Sequence, residues 1–214
     1  MATAVLERQK VDAAHGIGEP ETDRAGSVPS EYHWSVDAFT KAGDAGVFGN
    51  DARLELLQGR IFEIMGQGPE HSTLASVIAD MLREATGKQF VVREEKPVQI
   101  AGDSLPIPDV LVLKGRQIDY RDHQPRPEEV ALVVEVPITT ADFDLNEKAA
   151  QYAHAKIQEY WVVLGNEDII VRHRQPSPMG YQDVTRLTGT DTLSVLALPE
   201  TVWTINVLLG NEVE

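Results

Sequence analysis

Two short apolar segments stand out in the hydrophobic pattern of this chain. Residues 107–113 and 131–137 are rich in Val, Leu and Ile, and proline or polar residues bound both of them. Runs of this length and composition are typical of buried β-strands. Each run contains a single carboxylate, Asp109 in the first and Glu135 in the second. Because a buried carboxylate is costly unless a cation or hydrogen-bond donors satisfy it, these positions are the first candidates for a functional site.

The segment between the two strands, residues 114–129, is long and polar. If the strands pair as antiparallel neighbours, the start of the first lies beside the end of the second. Asp109 and Glu135 would then meet at one edge of the sheet. Carboxylate oxygens are hard ligands of the kind that Mg²⁺ prefers, so this pairing predicts that the two side chains can hold one metal ion.

A helix is predicted directly after the second strand. Residues 142–155 contain good helix formers, and Asp142 is a suitable N-cap. Lys148 lies one turn after Asp144 and one turn before Tyr152, so the three share a helix face. An Asp, a Glu on the neighbouring strand and a nearby Lys form the constellation of a metal-dependent phosphodiesterase. The metal lowers the pKa of a bound water and neutralises charge on the phosphate, and the Lys positions that water.

The remaining periodicities complete an α/β pattern with a mixed sheet. Apolar residues at helical spacing predict a helix over residues 70–85, and Ser35 is predicted to cap a short helix over 36–41. Residues 53–65 read as a hairpin that turns at Gln58 and Gly59. Further short strands are predicted at residues 90–92, 98–100, 159–164, 168–174, 181–187, 192–198 and 201–209.

The order and spacing of these residues resemble a known bacterial family of restriction-endonuclease-like domains, within the PD-(D/E)XK nuclease superfamily. The similarity extends upstream to the predicted hairpin and to His71, and it covers roughly residues 33 to 209. The motifs that carry it are Pro108-Asp109, Val133-Val134-Glu135-Val136, Asp144-x-x-x-Lys148-x-x-x-Tyr152 and Glu159-Tyr160-Trp161.

The resemblance implies a restriction-endonuclease-like core, with a central mixed β-sheet flanked by helices. It implies a nuclease that uses Mg²⁺ or Mn²⁺ held by Asp109 and Glu135, with Lys148 as the third catalytic residue. The superfamily usually places its Lys two residues after the Glu, where this chain has Pro137. The resemblance therefore implies that Lys148 performs the same role from the following helix. The expected substrate is nucleic acid, with DNA as the first choice.

Two further residues have two interpretations each. Glu55 lies within the first hairpin strand, where alternation allows it to face solvent, whereas the resemblance implies an accessory acid near the metal. His71 lies on the edge of the apolar stripe of helix 70–85. A lone His in that position is more often a residue at the edge of the core, and the functional alternative is a contact to phosphate or water.

The polar segment 114–129 is the most basic stretch of the chain. It contains Arg116, Arg121 and Arg126, which are candidates for binding the substrate. The same segment also contains four acidic residues, so a surface loop of mixed charge is the simpler interpretation.

Composition sets the limits of these hypotheses. The chain has 214 residues and no cysteine, which excludes disulfides and thiolate chemistry. Residues 1–31 have little apolar periodicity and are expected to be a disordered tail, followed by one domain over residues 32–214. No apolar run is long enough to span a membrane, and no signal peptide is evident, so we expect a cytoplasmic protein.

The formal net charge of −15 is unusual for a protein that binds nucleic acid. It keeps a second function open, namely a non-catalytic interaction or assembly module that retains the nuclease fold. It also favours binding through a small local patch together with a metal. A homodimer stays open as well, since two acidic copies would benefit from a shared groove.

Overall fold

The computed structural model describes residues 30–49, 52–64 and 68–211. The predicted tail, residues 1–31, therefore lies outside the described residues except for Ser30 and Glu31. The fold described below belongs to the unit that runs from Tyr32 to Glu214. Its strands are β1 (Leu54–Leu57), β2 (Arg60–Glu63), β3 (Phe90–Glu94), β4 (Val110–Lys114), β5 (Val130–Glu135), β6 (Glu159–Leu164), β7 (Ile169–Ser177), β8 (Gly180–Thr188), β9 (Thr192–Val195) and β10 (Leu198–Thr204).

Four helical segments accompany these strands. α1 is Val36–Asp44, α2 is Pro69–Thr86, and α4 is Ile205–Leu208. α3 is continuous over residues 141–154 and consists of the α-helical turn Ala141–Phe143, the π-helical turn Asp144–Lys148 and the α-helix Ala149–His154. Short 3₁₀ turns occur at Gln117–Tyr120, Pro127–Glu129 and Gly165–Glu167.

The centre of the fold is a six-stranded mixed sheet with the order β3-β4-β5-β6-β7-β8. All neighbouring pairs are antiparallel except β5 and β6, which are parallel because α3 connects them as a crossover. The predicted α/β class and mixed sheet flanked by helices are confirmed. The predicted antiparallel pairing of the two apolar strands is also confirmed, with Val110 opposite Val134.

The apolar strands are buried on both faces, which explains why their sequences are continuous rather than alternating. One face of the sheet carries Val112, Leu132 and Trp161, and it packs against α2. The opposite face carries Leu111 and Val133, and it packs against α3. The sheet is therefore a rigid central layer, and its strand ends are the places where polar side chains reach a surface.

Local sequence signals explain several boundaries. Ser35 caps α1 as predicted, because its side chain accepts a hydrogen bond from the Ala38 amide at 3.2 Å. The hairpin turns at Gln58 and Gly59, both of which have positive φ angles of 49° and 74°. A side chain at Gly59 would also meet His33 Cβ at 2.6 Å, so glycine is needed there for space as well.

Three expectations about these elements are wrong. Residues 98–100 do not form a strand, since their amides donate to carbonyl groups of Pro106, Pro125 and Ser104, which lie outside the strands. Residues 205–208 of the last predicted strand form α4, because Thr204 caps a helical turn there. α3 begins at Ala141, so the residue before its first turn is Thr140 rather than Asp142.

The described residues contain no helix that is both long and apolar enough to cross a membrane.

Glu159 is a buried polar anchor at the start of β6, with no exposed surface. Its Oε1 accepts hydrogen bonds from Arg174 Nε at 2.9 Å and from Trp161 Nε1 at 3.0 Å. Its Oε2 accepts from the Leu196 amide at 2.5 Å, so this carboxylate joins β6 and β7 to the segment after β9. A buried charge with this many donors is a structural element that fixes the end of the sheet.

We predict that Arg174→Ala destabilises the fold by about 3–5 kcal/mol, because it leaves the buried Glu159 carboxylate without its cation. The matched control is Arg186→Ala, which removes an exposed pair to Glu167 and should cost at most about 1 kcal/mol. Urea denaturation of both variants measures the difference. Equal losses in the two variants would contradict an anchoring role for Glu159.

Candidate active site

Asp109 and Glu135 meet at one edge of the sheet, as the sequence predicted. Asp109 directly precedes β4 and Glu135 ends β5, one position beyond the pair Val110 and Val134. Directly opposite residues of antiparallel strands point to the same face, so the two carboxylates are neighbours. Both side chains are almost fully buried. The edge therefore presents two adjacent carboxylates held by backbone pairing.

Glu135 is held by two donors from α3. Its Oε1 lies 3.0 Å from Lys148 Nζ and accepts a hydrogen bond from the Tyr152 hydroxyl, also at 3.0 Å. Burial raises the pKa of Glu135 well above its usual value, and the Lys148 charge only partly opposes that effect. Burial likewise raises the pKa of Tyr152. Tyr152 therefore keeps its proton and acts as a donor, while Glu135 needs a cation to stay ionised.

Lys148 is the cation at the centre of the site. Its Nζ lies 3.0 Å from Glu135, 3.3 Å from Glu55 Oε1 and 3.5 Å from Asp144 Oδ1. Burial alone would lower the pKa of Lys148, but the three carboxylates together raise it above its ordinary value. The side chain is only 9% exposed. Lys148 is thus a permanently charged donor at neutral pH.

A π-helical turn places Asp144 and Lys148 at the site. Such turns insert one residue into an α-helix, and they are frequent at functional sites. The Thr140 hydroxyl donates to Asp144 Oδ2 at 2.8 Å, and the Tyr160 hydroxyl donates to the Asp144 carbonyl at 3.0 Å. Burial raises the pKa of Asp144, against the opposing effects of Lys148 and Thr140. The sequence predicted the shared face but contained no signal for the π turn.

Asp109 is held by contacts to the backbone just after β5 and to α2. Its Oδ2 accepts a hydrogen bond from the Val136 amide at 2.7 Å and lies 3.0 Å from His71 Nε2. His71 belongs to the first turn of α2 and is buried. Its other ring nitrogen, Nδ1, is also buried and has no hydrogen-bond partner among the described residues. The structure therefore places His71 in contact with a site carboxylate rather than only at the edge of the core.

Glu55 also belongs to the site, so the solvent-facing interpretation is wrong. The side chain is 4% exposed, and its Oε2 accepts from the Ile107 amide at 3.3 Å. Its Oε1 contacts Lys148, as described above. Alternation along β1 did place Glu55 on one face, but the sequence could not tell that this face lies against the sheet edge.

A cavity of about 730 Å³ opens at these side chains. Glu55, Asp109, Glu135, Asp144 and Lys148 all contribute to its lining, together with His71 and the start of α2. Apolar side chains that the sequence did not single out form much of its wall, namely Phe62, Ile64, Ile107, Val136, Ile138 and Phe143. This volume lies within the usual range for a ligand site.

The donor set fits a divalent cation of the Mg²⁺ class. The cluster contains four carboxylates and one ammonium, so it has a surplus of negative charge when ionised. Among the residues that the structure describes, no three His, Asp or Glu side chains are arranged to hold a metal together. Mg²⁺ often uses only one or two carboxylates and completes its shell with waters and substrate phosphates. Asp109 and Glu135 match that open type of site.

The structure does not bring the three loop arginines to this cluster. Their loop joins the far ends of β4 and β5, and β4 separates it from Asp109 by about 17 Å at 3.4 Å per residue. Arg116 is paired with Asp119 at 2.8 Å, and Arg121 with Asp122 at 3.2 Å. Arg126 begins the 3₁₀ turn that precedes β5. We therefore leave all three out of the proposed site.

The fold and the paired carboxylates define a protein of the restriction-endonuclease-like class. A solved structure from Anabaena variabilis ATCC 29413, described as a "putative nuclease belonging to DUF820", has the same fold with a TM-score of 0.64. The two chains are 18% identical, and the match covers 83% of this chain and 98% of that one. No curated protein matches this chain.

The family follows from the sequence itself. The Uma2 family, described as "Putative restriction endonuclease", matches residues 37–207. Since this match covers most of the chain, the protein belongs to the Uma2 family. The resemblance inferred from the motifs is thereby confirmed.

We predict that Lys148→Met costs about 3–5 kcal/mol of stability at pH 7, since it leaves the surrounding carboxylates without their cation. The loss should shrink as the pH falls toward about 5. The folded pKa values of Glu135 and Asp144 are already raised, and removing Lys148 raises them further. Because the folded state then binds more protons than the unfolded state, acid stabilises it.

Urea unfolding at the two pH values measures this effect. The control is Lys41→Met, which removes an exposed pair to Asp37 and should cost no more than about 0.5 kcal/mol at either pH. A loss in Lys148→Met that does not depend on pH would contradict the proposed coupling.

Proposed function

We propose that this protein is a divalent-metal-dependent endonuclease that hydrolyses phosphodiester bonds in nucleic acid, with DNA as the first substrate to test. The observation that carries the proposal is the arrangement of Asp109, Glu135 and Lys148 at one sheet edge, inside a cavity of ligand size. Membership of the Uma2 family supports the same class of activity.

In this proposal Asp109 and Glu135 hold Mg²⁺ or Mn²⁺. The bound ion would supply a Lewis acid and lower the pKa of a water molecule. The protein supplies the orientation of the ligands. The Val136 amide and His71 fix Asp109, whereas Tyr152 and Lys148 fix Glu135. Such supporting contacts commonly determine how well carboxylates bind a metal.

Lys148 is proposed to act as a charged donor rather than as a base. The surrounding carboxylates raise the pKa of Lys148, so the side chain is protonated at neutral pH and available as a donor. An ammonium in this position can orient the attacking water and stabilise negative charge that develops on the phosphate. Glu55 and Asp144 contact the same ammonium and help to hold it in place.

The alternative is a non-catalytic module, and the net charge of −15 is the observation that favours it. An acidic surface repels the phosphate backbone, which usually dominates affinity for nucleic acid. The contacts of Lys148 support the enzyme instead, because a purely structural domain gains little from assembling three buried carboxylates around one cation.

We predict that Mn²⁺ binds the wild-type protein and that Glu135→Gln and Asp109→Asn each weaken binding by more than about 100-fold. Even residues that only support a ligand contribute about 10- to 100-fold, so the loss of a ligand should exceed this. Isothermal titration calorimetry at moderate salt measures the affinities. Asp119→Asn is the control, because it removes a carboxylate at the far end of β4.

The same variants should lose Mn²⁺-dependent cleavage of oligonucleotides, while Asp119→Asn retains it. Metal binding and cleavage at the wild-type level in Glu135→Gln would contradict the proposed site. Metal binding without cleavage of any single- or double-stranded DNA or RNA would favour the non-catalytic module.

A further inference from the structure

Two aromatic rings lie in the wall of the cavity, beside the carboxylates. The centroids of Phe62 and Phe143 are 5.3 Å apart, and the ring planes are inclined by 47°. Both side chains are half-buried, and both contribute to the cavity lining. The two rings therefore form an aromatic platform that faces the same space as the site residues.

The fold places each ring next to an acidic residue of the site. Phe62 lies opposite Glu55 in the β1–β2 hairpin, so the two side chains share one face. Phe143 immediately precedes Asp144 at the start of the π turn. A planar group stacked on this platform would thus lie within one side-chain length of the Lys148 cluster.

The charge of the cavity excludes an ordinary duplex-binding surface. Among the residues that the structure describes, seven acidic side chains and one basic side chain, Lys148, line it. Duplex DNA has one negative charge per about 1.7 Å of its axis, and proteins that bind it rely on neutralising those phosphates. Affinity at this site must therefore come from the metal and from contacts to the bases.

A cation lies at the outer side of the platform. The guanidinium carbon of Arg60 is 5.4 Å from the centre of the Phe62 ring. Arg60 precedes Phe62 by two residues on β2, so both side chains are on the same face of the hairpin. Aromatic stacking together with a nearby Arg is the combination that proteins use to bind single-stranded nucleic acid.

We infer that the cavity binds one unpaired base that stacks on one of the two inclined rings, Phe62 or Phe143, and contacts the other, and that the substrate is single-stranded nucleic acid. This inference rests on the proposed nuclease function, because it names the substrate class of the same site. The base supplies the affinity that the acidic wall denies to phosphates. The scissile phosphate then lies toward Asp109 and Glu135.

The test measures binding of a labelled single-stranded oligonucleotide, and of the blunt duplex with the same sequence, by fluorescence anisotropy. Ca²⁺ replaces Mn²⁺ to supply an oxygen-binding cation, and a gel confirms that the oligonucleotide stays intact. Wild type should bind the single strand at least about tenfold more tightly than the duplex. Phe62→Leu and Phe143→Leu should each weaken single-strand binding by about 5- to 150-fold.

The control is Phe48→Leu, because Phe48 packs on Trp34 and Phe39 rather than in the cavity wall. It should leave binding unchanged, and Phe62→Trp should retain it because a ring is kept. An oligonucleotide with abasic positions should bind wild type at least as weakly as the intact strand binds Phe62→Leu. Phe62→Leu should bind the abasic strand only slightly more weakly than wild type does, since the substitution and the missing base remove the same contact.

Two outcomes would overturn the inference, namely duplex binding as tight as single-strand binding, or Leu variants that bind like wild type. Cleavage with Mn²⁺, measured separately, distinguishes failure of the base-binding inference from failure of the nuclease proposal. Cleavage that does not depend on the two rings would support the nuclease proposal and refute base binding at the platform. Binding that depends on the rings but occurs without cleavage would support base binding at the platform and refute the nuclease proposal.

Discussion

The site depends on one buried ammonium. Lys148 contacts carboxylates from three parts of the fold, namely Glu55 on the β1–β2 hairpin, Glu135 on β5 and Asp144 on its own helix. Removing these charges from water is costly, and only close mutual contact compensates for it. The ammonium therefore links the hairpin and α3 to the end of β5, where strand pairing places Asp109 beside Glu135.

The buried cluster around Lys148 contains more carboxylates than cations, and this excess has two consequences. The cluster attracts a further cation, which makes a metal site chemically reasonable at the edge that Asp109 and Glu135 form. It also repels phosphates, so recognition of a nucleic acid must use other contacts. The aromatic wall supplied by Phe62 and Phe143 provides such contacts without adding positive charge. The proposed catalytic chemistry and the proposed substrate preference thus have a common electrostatic origin.

Much of the fold was predictable because its strongest signals are local. Continuous apolar strands, the helical stripe of α2 and the Gln58–Gly59 turn each follow from side-chain chemistry over a few residues. The predictions failed where tertiary context decides. Residues 205–208 combine apolar character with a Thr204 cap, and a helical turn prevailed over a strand there. The 98–100 segment is apolar and buried, but it packs as a loop because no neighbouring strand is available to it.

For the site, the sequence indicated Asp109, Glu135 and Lys148 as candidates, from carboxylates in apolar strands and from the resemblance to a known family. Only the tertiary structure decided which other residues join them. Glu55 and His71 come from elements distant in sequence. For each of them, the choice between the two interpretations depended on which residues pack against the side chain. The loop arginines were attractive by charge alone, but chain connectivity places that loop at the opposite end of the same strands. Sequence records the chemistry of each side chain, whereas the direction of each strand decides which side chains meet.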